Sequence, residues 1–474
     1  LALGPFYVLP DEFLIPPEAT IRNLVLGRKV AARFGPVQRV GYVPDAFGHV
    51  AQLPQILHLA GIDSFVYTRG DADEIDDLGL EWIWEAPDGT GVLAIHQLGG
   101  YCNAASLGHE EIWHAHTQRA IDTTLAVRKV GELFDRMAAE SNGDVWLLNN
   151  GCDHFPAQRD FDRVLAALRE AFPDVELRHG SLSELVAAVR SAGCATKRFR
   201  GELRGGKRHH VLSGVWSARM PLKQRNDEAH TLLADVAEPL RAYLRFRHGV
   251  VWPAGLLERA WKTLLENQPH DSICGCSIDE VHREMEPRFD QAVQTADAVV
   301  REGLTALVPT FGVREDADRD TALGVFHPLP EARRAVVERL VILQPFEGLD
   351  PAALRVEDEQ GRRVPFEVVQ RHQVRRFWGI DWRTVLDVET QQTRFDGYAS
   401  AFGHAFLEPP PETELVDTYL HVRFLADLPP TGVARFRFVA DGTSEAVALP
   451  ETSRVHVDAA RGTLANDLVS AHLH

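Results

Sequence analysis

The feature that most constrains the fold is the alternation of two hydrophobic patterns along residues 1–195. Short apolar runs typical of buried strands lie at 37–43, 64–68 and 144–150, and segments with apolar residues every three or four positions lie between them, as at 18–34 and 159–172. Strands that alternate with helices predict an α/β domain with a mainly parallel sheet. Two local signals refine this prediction. "PDGTG" between two alternating runs predicts a hairpin, and "SLSE" at Ser181 predicts a capping box that opens a helix.

The pattern changes twice after this region. Between residues 196 and 308 strand signals fade and three long helical segments predict a three-helix bundle. Between 309 and 474 apolar and polar residues alternate between Gly and Pro turns, which predicts an antiparallel, β-sandwich-like region. A chain of 474 residues also exceeds the size of one ordinary core. We therefore expect a multidomain protein divided at about these boundaries.

Composition excludes some partners. The formal charge of −18 argues against nucleic acid, whose binders need a basic face. No apolar run approaches the roughly 20 residues needed to span a bilayer, so we expect no membrane partner. The five cysteines cannot all pair, and two of them, Cys274 and Cys276, are too close for a relaxed disulfide framework. These cysteines indicate a reducing compartment and predict a cytoplasmic location.

Three acidic positions could carry chemistry. Asp45 follows the predicted strand 37–43, and Asp153 follows the predicted strand 144–150, at the sheet edge where α/β proteins bind ligands. Each could instead cap the helix that follows it. His270 and Asp271 lie in a turn between helices and could bind a metal, hold a sugar hydroxyl or tie down a loop. Together they could supply the two facing carboxyl groups of a glycosidase and a metal-binding histidine.

Three sequence motifs carry a family resemblance. "PDAFGH" with "QLPQIL" around Asp45, "NGCDH" around Asp153 and "NQPHDSICGCSIDEVH" around His270 resemble the retaining, zinc-dependent α-mannosidases of glycoside hydrolase family 38, in their bacterial form. The resemblance covers nearly the whole chain in order. It implies the family's β/α catalytic domain for residues 1–195, and hydrolysis of terminal α-mannosides through a covalent mannosyl-aspartate intermediate.

The resemblance also implies roles for single residues. Asp45 matches the nucleophile, which is also a zinc ligand, and His270 matches another ligand of the one zinc ion. Asp153 lies where the family has its acid/base and Asp271 matches a residue that contacts sugar hydroxyls. A cation beside Asp45 favours the ionised form that must attack the anomeric carbon.

Two further residues are candidates for substrate binding. Arg69 follows the predicted strand 64–68, where the family keeps an arginine near the nucleophile, and the alternative for it is a surface salt bridge. Tyr101 in "GGYCNAA" could hydrogen-bond or stack on a sugar, and the alternative for it is a core aromatic.

The chain departs from the family pattern at its N-terminal end. The family holds zinc with an additional His-x-Asp motif on an early strand, but no histidine precedes His49 here. Asp45 and His270 alone are fewer than the three ligands usual at a catalytic zinc. We therefore expect a fragment that lacks N-terminal and C-terminal parts, including the first strand. By itself such a fragment should bind zinc weakly and be inactive.

Three functions remain open at this stage. The first is hydrolysis of an α-mannoside, either an oligosaccharide or a small mannoside. The second is hydrolysis of mannosylglycerate, and the third is carbohydrate binding without catalysis on the same fold. The sequence leaves homo-oligomerisation open.

Overall fold

The computed structural model describes residues 2–116, 119–311, 321–343, 354–375 and 416–439, and three short strands at 456–458, 463–465 and 470–472. The chain divides into two compact units. The first consists of Leu1–Ala234 and Pro253–Val299, and the second of Asp235–Trp252 and Val300–His474. Across these described ranges, no helix combines the length and the apolar character that a membrane span requires.

A five-stranded sheet forms the centre of the first unit. Its strands are β1 (Gly41–Val43), β2 (Ser64–Tyr67), β3 (Glu81–Glu85), β4 (Gly91–His96) and β5 (Arg198–Arg200), in the spatial order β1-β2-β4-β3-β5. Neighbouring strands are parallel except for β3 and β4. This exception is the hairpin that "PDGTG" predicts, and the sheet is otherwise parallel as the alternation predicts.

Six helices of the first unit accompany the sheet: α1 (Pro17–Ala31), α2 (Leu53–Leu59), α3 (Ile75–Leu78), α4 (Thr123–Glu140), α5 (Phe161–Ala171) and α6 (Leu182–Ala192). The predicted capping box is confirmed, because the Ser181 side chain accepts from the Glu184 N–H and the Glu184 side chain accepts from the Ser181 N–H. Buried side chains cover both faces of the sheet. Phe65 and Trp84 pack on one face with α2, and Val66 and Ile95 pack on the other with α6, which is why every residue of β2 is buried.

The prediction of a strand at 144–150 is wrong. This segment forms neither a strand nor a ladder. The side chain of Asn103 hydrogen-bonds the backbone of this segment instead: Asn103 Nδ2 donates to the Leu147 carbonyl, and Asn103 Oδ1 accepts from the Asn149 N–H. An apolar run alone cannot show whether a neighbouring strand is in place to pair with it.

The middle of the chain is helical, as predicted. It contains α7 (Met220–His230), α8 (Glu238–His248), α9 (Ala254–Leu265), α10 (His270–Cys274) and α11 (Asp279–Leu307), with one π-helical stretch at Thr231–Ala237 between α7 and α8. Leu240 and Leu244 of α8 and Leu307 of α11 form a core cluster within the second unit. The packing of these helices as a three-helix bundle, and the domain boundaries near 195 and 308, stay predictions.

The second unit contains antiparallel sheets, as predicted. The strands are β6 (Thr321–His327), β7 (Arg333–Leu343), β8 (Arg355–Asp358), β9 (Arg363–Val364), β10 (Phe366–Arg375), β11 (Val416–Leu428), β12 (Gly432–Val439), β13 (His456–Asp458), β14 (Thr463–Ala465) and β15 (Ser470–His472). The sheets β10-β11-β7 and β6-β12-β8-β9 share one core, in which Phe424 of β11 contacts Phe436 of β12. Parts of the predicted β region, at 344–353, 376–415 and 440–455, lie outside the described residues.

Candidate active site

Three of the candidate residues follow neighbouring parallel strands. Asp45 comes two residues after β1, Arg69 two residues after β2, and Tyr101 five residues after β4. Because β1, β2 and β4 are adjacent and parallel, their carboxyl ends open onto the same edge of the sheet, where this class of fold places ligand-binding groups.

Asp45 and Arg69 form a well-protected ion pair. Arg69 Nε and Nη2 donate to Asp45 Oδ1 at 2.9 and 2.5 Å, and only 9% and 18% of the Arg69 and Asp45 side chains are exposed. Arg69 Nη1 donates to the His210 carbonyl at 2.6 Å, and the guanidinium lies 5.2 Å from the centre of the Phe47 ring. Arg69 is therefore not a surface salt bridge. It fixes one oxygen of Asp45 and leaves the other available.

His270 approaches that other oxygen from the helical region. It is the first residue of α10, and its Nε2 lies 3.3 Å from Asp45 Oδ2. The Leu9 carbonyl accepts from the His270 backbone N–H at 2.9 Å and lies 3.0 Å from His270 Nδ1. Leu9 thus orients the imidazole ring so that Nε2 faces Asp45.

The surroundings favour the ionised form of Asp45. Burial alone would raise the pKa of Asp45, but the hydrogen bond with His270 and the positive charge of Arg69 outweigh burial and hold that pKa below its usual value. For His270, burial lowers the pKa, whereas Asp45 and Asp271 raise it, and the net direction is upward. Asp45 and His270 therefore each stabilise the charged form of the other.

Tyr101 contacts the second candidate carboxyl group. Its hydroxyl donates to Asp153 Oδ2 at 2.8 Å. Its pKa is raised well above the usual value by burial, by this hydrogen bond and by the negative charge of the nearby Asp45. Tyr101 therefore stays protonated and donates a hydrogen bond to Asp153. It is half-buried, not a core aromatic.

Asp271 lies at the exposed side of the site. Its Oδ2 is 3.7 Å from His270 Nε2, and 55% of its side chain is exposed. The Cys276 thiol donates to Asp271 Oδ1 at 3.2 Å, and burial together with this carboxylate raises the pKa of Cys276 to about 12. One oxygen of Asp271 is thus held by the thiol, and the other faces the space beside His270.

Several supporting residues were missed by sequence reasoning. His49 Nδ1 lies 2.8 Å from Glu12 Oε1 in a fully buried pair. Glu12 Oε2 also accepts from the Val50 N–H, so Glu12 anchors the loop that carries Asp45. An acidic residue within the apolar stretch "VLPDEFL" was the available signal, but it does not reveal a partner 37 positions away.

A disulfide links the loops of Tyr101 and Asp153. It joins Cys102 to Cys152, and the remaining cysteines, Cys194, Cys274 and Cys276, are free thiols. This bond was not expected, because the cysteine pattern predicted a reducing compartment, in which disulfides are rare. A spacing of 50 residues between two cysteines also carries no sign of proximity.

The donors around Asp45 fit Zn²⁺ in type and in spacing. Two ligands about 2.0–2.1 Å from a tetrahedral zinc ion lie about 3.3–3.4 Å apart, and Asp45 Oδ2 and His270 Nε2 are 3.3 Å apart. The Leu9 carbonyl near Nδ1 leaves Nε2 as the nitrogen for a metal. Yet no group of three or more His, Cys, Asp or Glu side chains suited to a metal ion occurs among the residues that the structure describes. The described residues thus supply two ligands.

Comparison with protein families gives two consecutive matches. Residues 1–202 match the model of the glycosyl hydrolases family 38 N-terminal domain, and residues 210–307 match that of the alpha mannosidase middle domain. The two matched segments follow one another along the chain without overlap.

Curated relatives agree with these matches. A putative mannosylglycerate hydrolase from Halalkalibacterium halodurans is 34% identical over 358 residues, which cover 73% of this chain and 38% of the relative. Human alpha-mannosidase 2C1 is 26% identical over 285 residues, which cover 60% of this chain and 25% of the relative. The chain therefore spans well under half the length of the curated relatives it matches.

Solved structures show the same fold. An alpha-mannosidase from Enterococcus faecalis V583 superposes with a TM-score of 0.76 at 24% identity, over 100% of this chain and 51% of the other. A protein in the glycosyl hydrolase family 38 from Enterococcus faecalis gives a TM-score of 0.68 at 23% identity, over 100% of this chain and 49% of the other.

Proposed function

The chain belongs to glycoside hydrolase family 38, and from this premise we propose that it carries the catalytic domain of a retaining α-mannosidase. The observation that supports this proposal best is the arrangement around Asp45. An ionised carboxylate, Asp45, is held by Arg69 and His270, and a second carboxyl group, Asp153, accepts a hydrogen bond from Tyr101, whose pKa reflects the nearby charge of Asp45. Retaining glycosidases need two carboxyl groups on opposite sides of the scissile bond.

Asp45 is the proposed nucleophile. The lowered pKa of Asp45 keeps it charged at neutral pH, and Arg69 fixes the orientation of the carboxylate that attacks the anomeric carbon. The result is a mannosyl-Asp45 ester with inverted configuration. A second inversion, when water attacks the same carbon, restores the original configuration.

Asp153 is the proposed acid/base. It gives a proton to the leaving glycosidic oxygen in the first step and takes one from the attacking water in the second. Tyr101, which stays protonated, donates to the Asp153 carboxylate that remains after the first proton transfer. Tyr101 thus stabilises the charged form of Asp153 while the mannosyl ester exists.

The metal and the sugar contacts belong to the same proposal. Asp45 Oδ2 and His270 Nε2 would hold Zn²⁺, which when bound supplies a positive charge that can grip the cis 2- and 3-hydroxyls of mannose. Asp271, with an exposed oxygen beside His270, is the proposed partner of a sugar hydroxyl. Since the described residues supply two ligands, we propose that the 474-residue chain alone binds zinc weakly and has little activity.

The test is an assay of the complete protein on 4-nitrophenyl α-D-mannopyranoside. Asp45→Ala should lower kcat/KM by about 10⁴-fold or more, because it removes the nucleophile, and chelation should abolish activity until Zn²⁺ is restored. Asp88→Ala, which removes an exposed aspartate of the β3–β4 hairpin, is the matched control and should keep activity. A 2-deoxy-2-fluoromannoside should label Asp45. Full activity in Asp45→Ala, or a label on another residue, would refute the proposal.

Hydrolysis of mannosylglycerate is the second candidate. The relative from Halalkalibacterium halodurans, which bears the name of a putative mannosylglycerate hydrolase, favours it. A kcat/KM for 2-O-mannosylglycerate at least tenfold above that for the aryl mannoside would select this candidate over the first. Both candidates use the same Asp45 and Asp153.

A further inference from the structure

The Cys102–Cys152 disulfide lies directly beside the proposed acid/base. Cys102 follows Tyr101 in the chain and Cys152 precedes Asp153, and the Cα atoms of the two cysteines are 4.7 Å apart. The Tyr101 hydroxyl closes the same short ring by donating to Asp153 at 2.8 Å. One disulfide and one hydrogen bond therefore join the same two loops, and they use adjacent residues in each loop.

The Asp153 loop has little regular structure of its own. Residues 145–160 form neither helix nor strand, and Asp153 is exposed. His154, the next residue, has a φ of 61°, in the left-handed region that a side chain with a Cβ rarely adopts. A carboxylate on such a loop keeps a catalytic position only if other contacts hold the loop.

Amide side chains supply part of that support. Asn103 bonds the Leu147 carbonyl and the Asn149 N–H, and Asn150 Nδ2 donates to the Ala104 carbonyl at 2.8 Å. These contacts attach the part of the loop at 147–150, before it reaches Asp153, and Gln158 Nε2 attaches the part after Asp153 by donating to the Leu107 carbonyl at 2.7 Å. Directly next to Asp153, the disulfide at Cys152 ties the loop to the residue after Tyr101.

We propose that the Cys102–Cys152 disulfide positions Asp153 for proton transfer, so that reduction of this bond impairs the acid/base step. The inference rests on the proposed function of Asp153. Both cysteines are positioning residues, since they act through Asp153 and Tyr101. A misplacement of about 1 Å can cost a catalytic group about 10²-fold in rate, which is the scale of the effect we expect.

The bond is open to chemical change. Both cysteines are partly exposed, so a thiolate can reach a sulfur atom. A dithiol reductant would form a mixed disulfide with one cysteine and then close its own disulfide, releasing Cys102 and Cys152 as two thiols. Two electrons and two protons pass from the dithiol to the protein. Reoxidation by a disulfide of the same class reverses the exchange, which makes the site a redox-sensitive device.

The first experiment counts thiols in the complete protein. Alkylation without reduction should modify Cys194, Cys274 and Cys276 under denaturing conditions, and a peptide containing Cys102 linked to Cys152 should appear by mass spectrometry. A trialkylphosphine, which is oxidised to the phosphine oxide with uptake of one water, should release both thiols. Alkylation of Cys102 and Cys152 without prior reduction of air-oxidised protein would overturn the proposal.

The second experiment compares two substrates before and after phosphine treatment. Methyl α-mannoside has a poor leaving group that needs protonation, whereas 2,4-dinitrophenyl α-mannoside does not. Reduction should lower kcat/KM for the methyl mannoside by about 10- to 100-fold and for the dinitrophenyl mannoside by less than about 3-fold. A merely structural role would lower both values together, and an equal loss or no loss would overturn the proposal.

Variants separate this inference from the proposed function. Cys102→Ser and Cys152→Ser should reproduce the reduced state and lose the response to phosphine, and Cys194→Ser, which changes a free thiol outside the two loops, should respond like the parent. If a serine variant fails to fold, the activities of the oxidised and the reduced parent protein are enough to test the proposal. Circular dichroism then checks that the reduced parent is still folded. An oxidised parent that hydrolyses neither mannoside would refute the proposed function itself.

Discussion

At the scale of single residues, the site depends on how the charge of Asp45 is compensated. A buried carboxylate without a partner costs several kcal/mol, and Asp45 avoids this cost through Arg69 on one oxygen and His270 near the other. The same two contacts leave the carboxylate ionised and oriented. Chemistry and stability therefore rest on the same pair of neighbours.

Tyr101 provides the sharpest prediction at this scale. Tyr101→Phe removes the hydrogen bond to Asp153 and keeps the ring, and a hydrogen bond to a charged group contributes about 1.5–3 kcal/mol. We expect kcat/KM of the complete protein for an unactivated α-mannoside to fall about 10- to 100-fold.

The control for this prediction is Tyr7→Phe. The Tyr7 hydroxyl donates to Glu266 Oε1 at 2.7 Å, so the substitution removes a bond of the same kind between two residues with no proposed role. It should leave kcat/KM within about 2-fold of the parent value. Equal losses in the two variants would contradict a specific role for Tyr101.

At the scale of elements, short polar contacts join the sheet to the segments around it. Glu81 begins β3, and it accepts from the Ser141 hydroxyl and the Asn142 N–H just after α4. These contacts satisfy the partly buried backbone N–H of Asn142. They also bury a carboxylate, which makes the joint between β3 and α4 sensitive to pH.

The predicted pH dependence follows from the direction of the Glu81 shift. Burial raises the pKa of Glu81 above its ordinary 4.5, although the bonds from Asn142 and Ser141 act in the opposite direction. The folded state therefore holds the Glu81 proton more tightly than the unfolded chain, and this contribution to the free energy of unfolding is lost as pH rises from the ordinary pKa through the folded one.

The test of this dependence is Glu81→Gln, which cannot ionise. Between about pH 4 and pH 7, the free energy of unfolding of the parent should fall more, as pH rises, than that of the Glu81→Gln variant. Urea denaturation at several pH values measures this difference. Identical pH dependence in the two proteins would contradict the prediction.

At the scale of the whole molecule, residues far apart in the chain meet in one site within the first unit. Asp45 and His270 are 225 positions apart, yet both belong to that unit, because Pro253–Val299 returns to it after the excursion of Asp235–Trp252 into the second unit. The proximity of the two proposed zinc donors is thus a property of the folded chain and of no local motif.

Zinc binding gives the prediction at this scale. Zinc sites with four ligands reach binding free energies of about 10–16 kcal/mol, so two ligands should supply about half of that. The 474-residue chain should then bind Zn²⁺ with a Kd of about 10⁻⁶–10⁻⁴ M, which calorimetric titration of the metal-free protein measures. His270→Ala should abolish binding, and His58→Ala, an exposed histidine of α2, should not change it. Nanomolar binding that survives His270→Ala would show that other ligands dominate.

The sequence by itself determined the kinds of elements and the identity of the candidate residues. Periodicity indicated the parallel sheet, the β3–β4 hairpin and the capping box at Ser181, because hydrophobic spacing and turn chemistry are local properties. The motifs around Asp45, Asp153 and His270 indicated the family. Such signals depend only on residues a few positions apart in the sequence.

Only the tertiary structure decided which groups meet. It placed Arg69 on Asp45 and paired Cys102 with Cys152, and it left 144–150 without a ladder although the run is apolar. Each outcome depends on contacts between segments distant in sequence. The physical reason is that hydrogen bonds, ion pairs and desolvation act over a few ångströms in space, and sequence spacing does not record that distance.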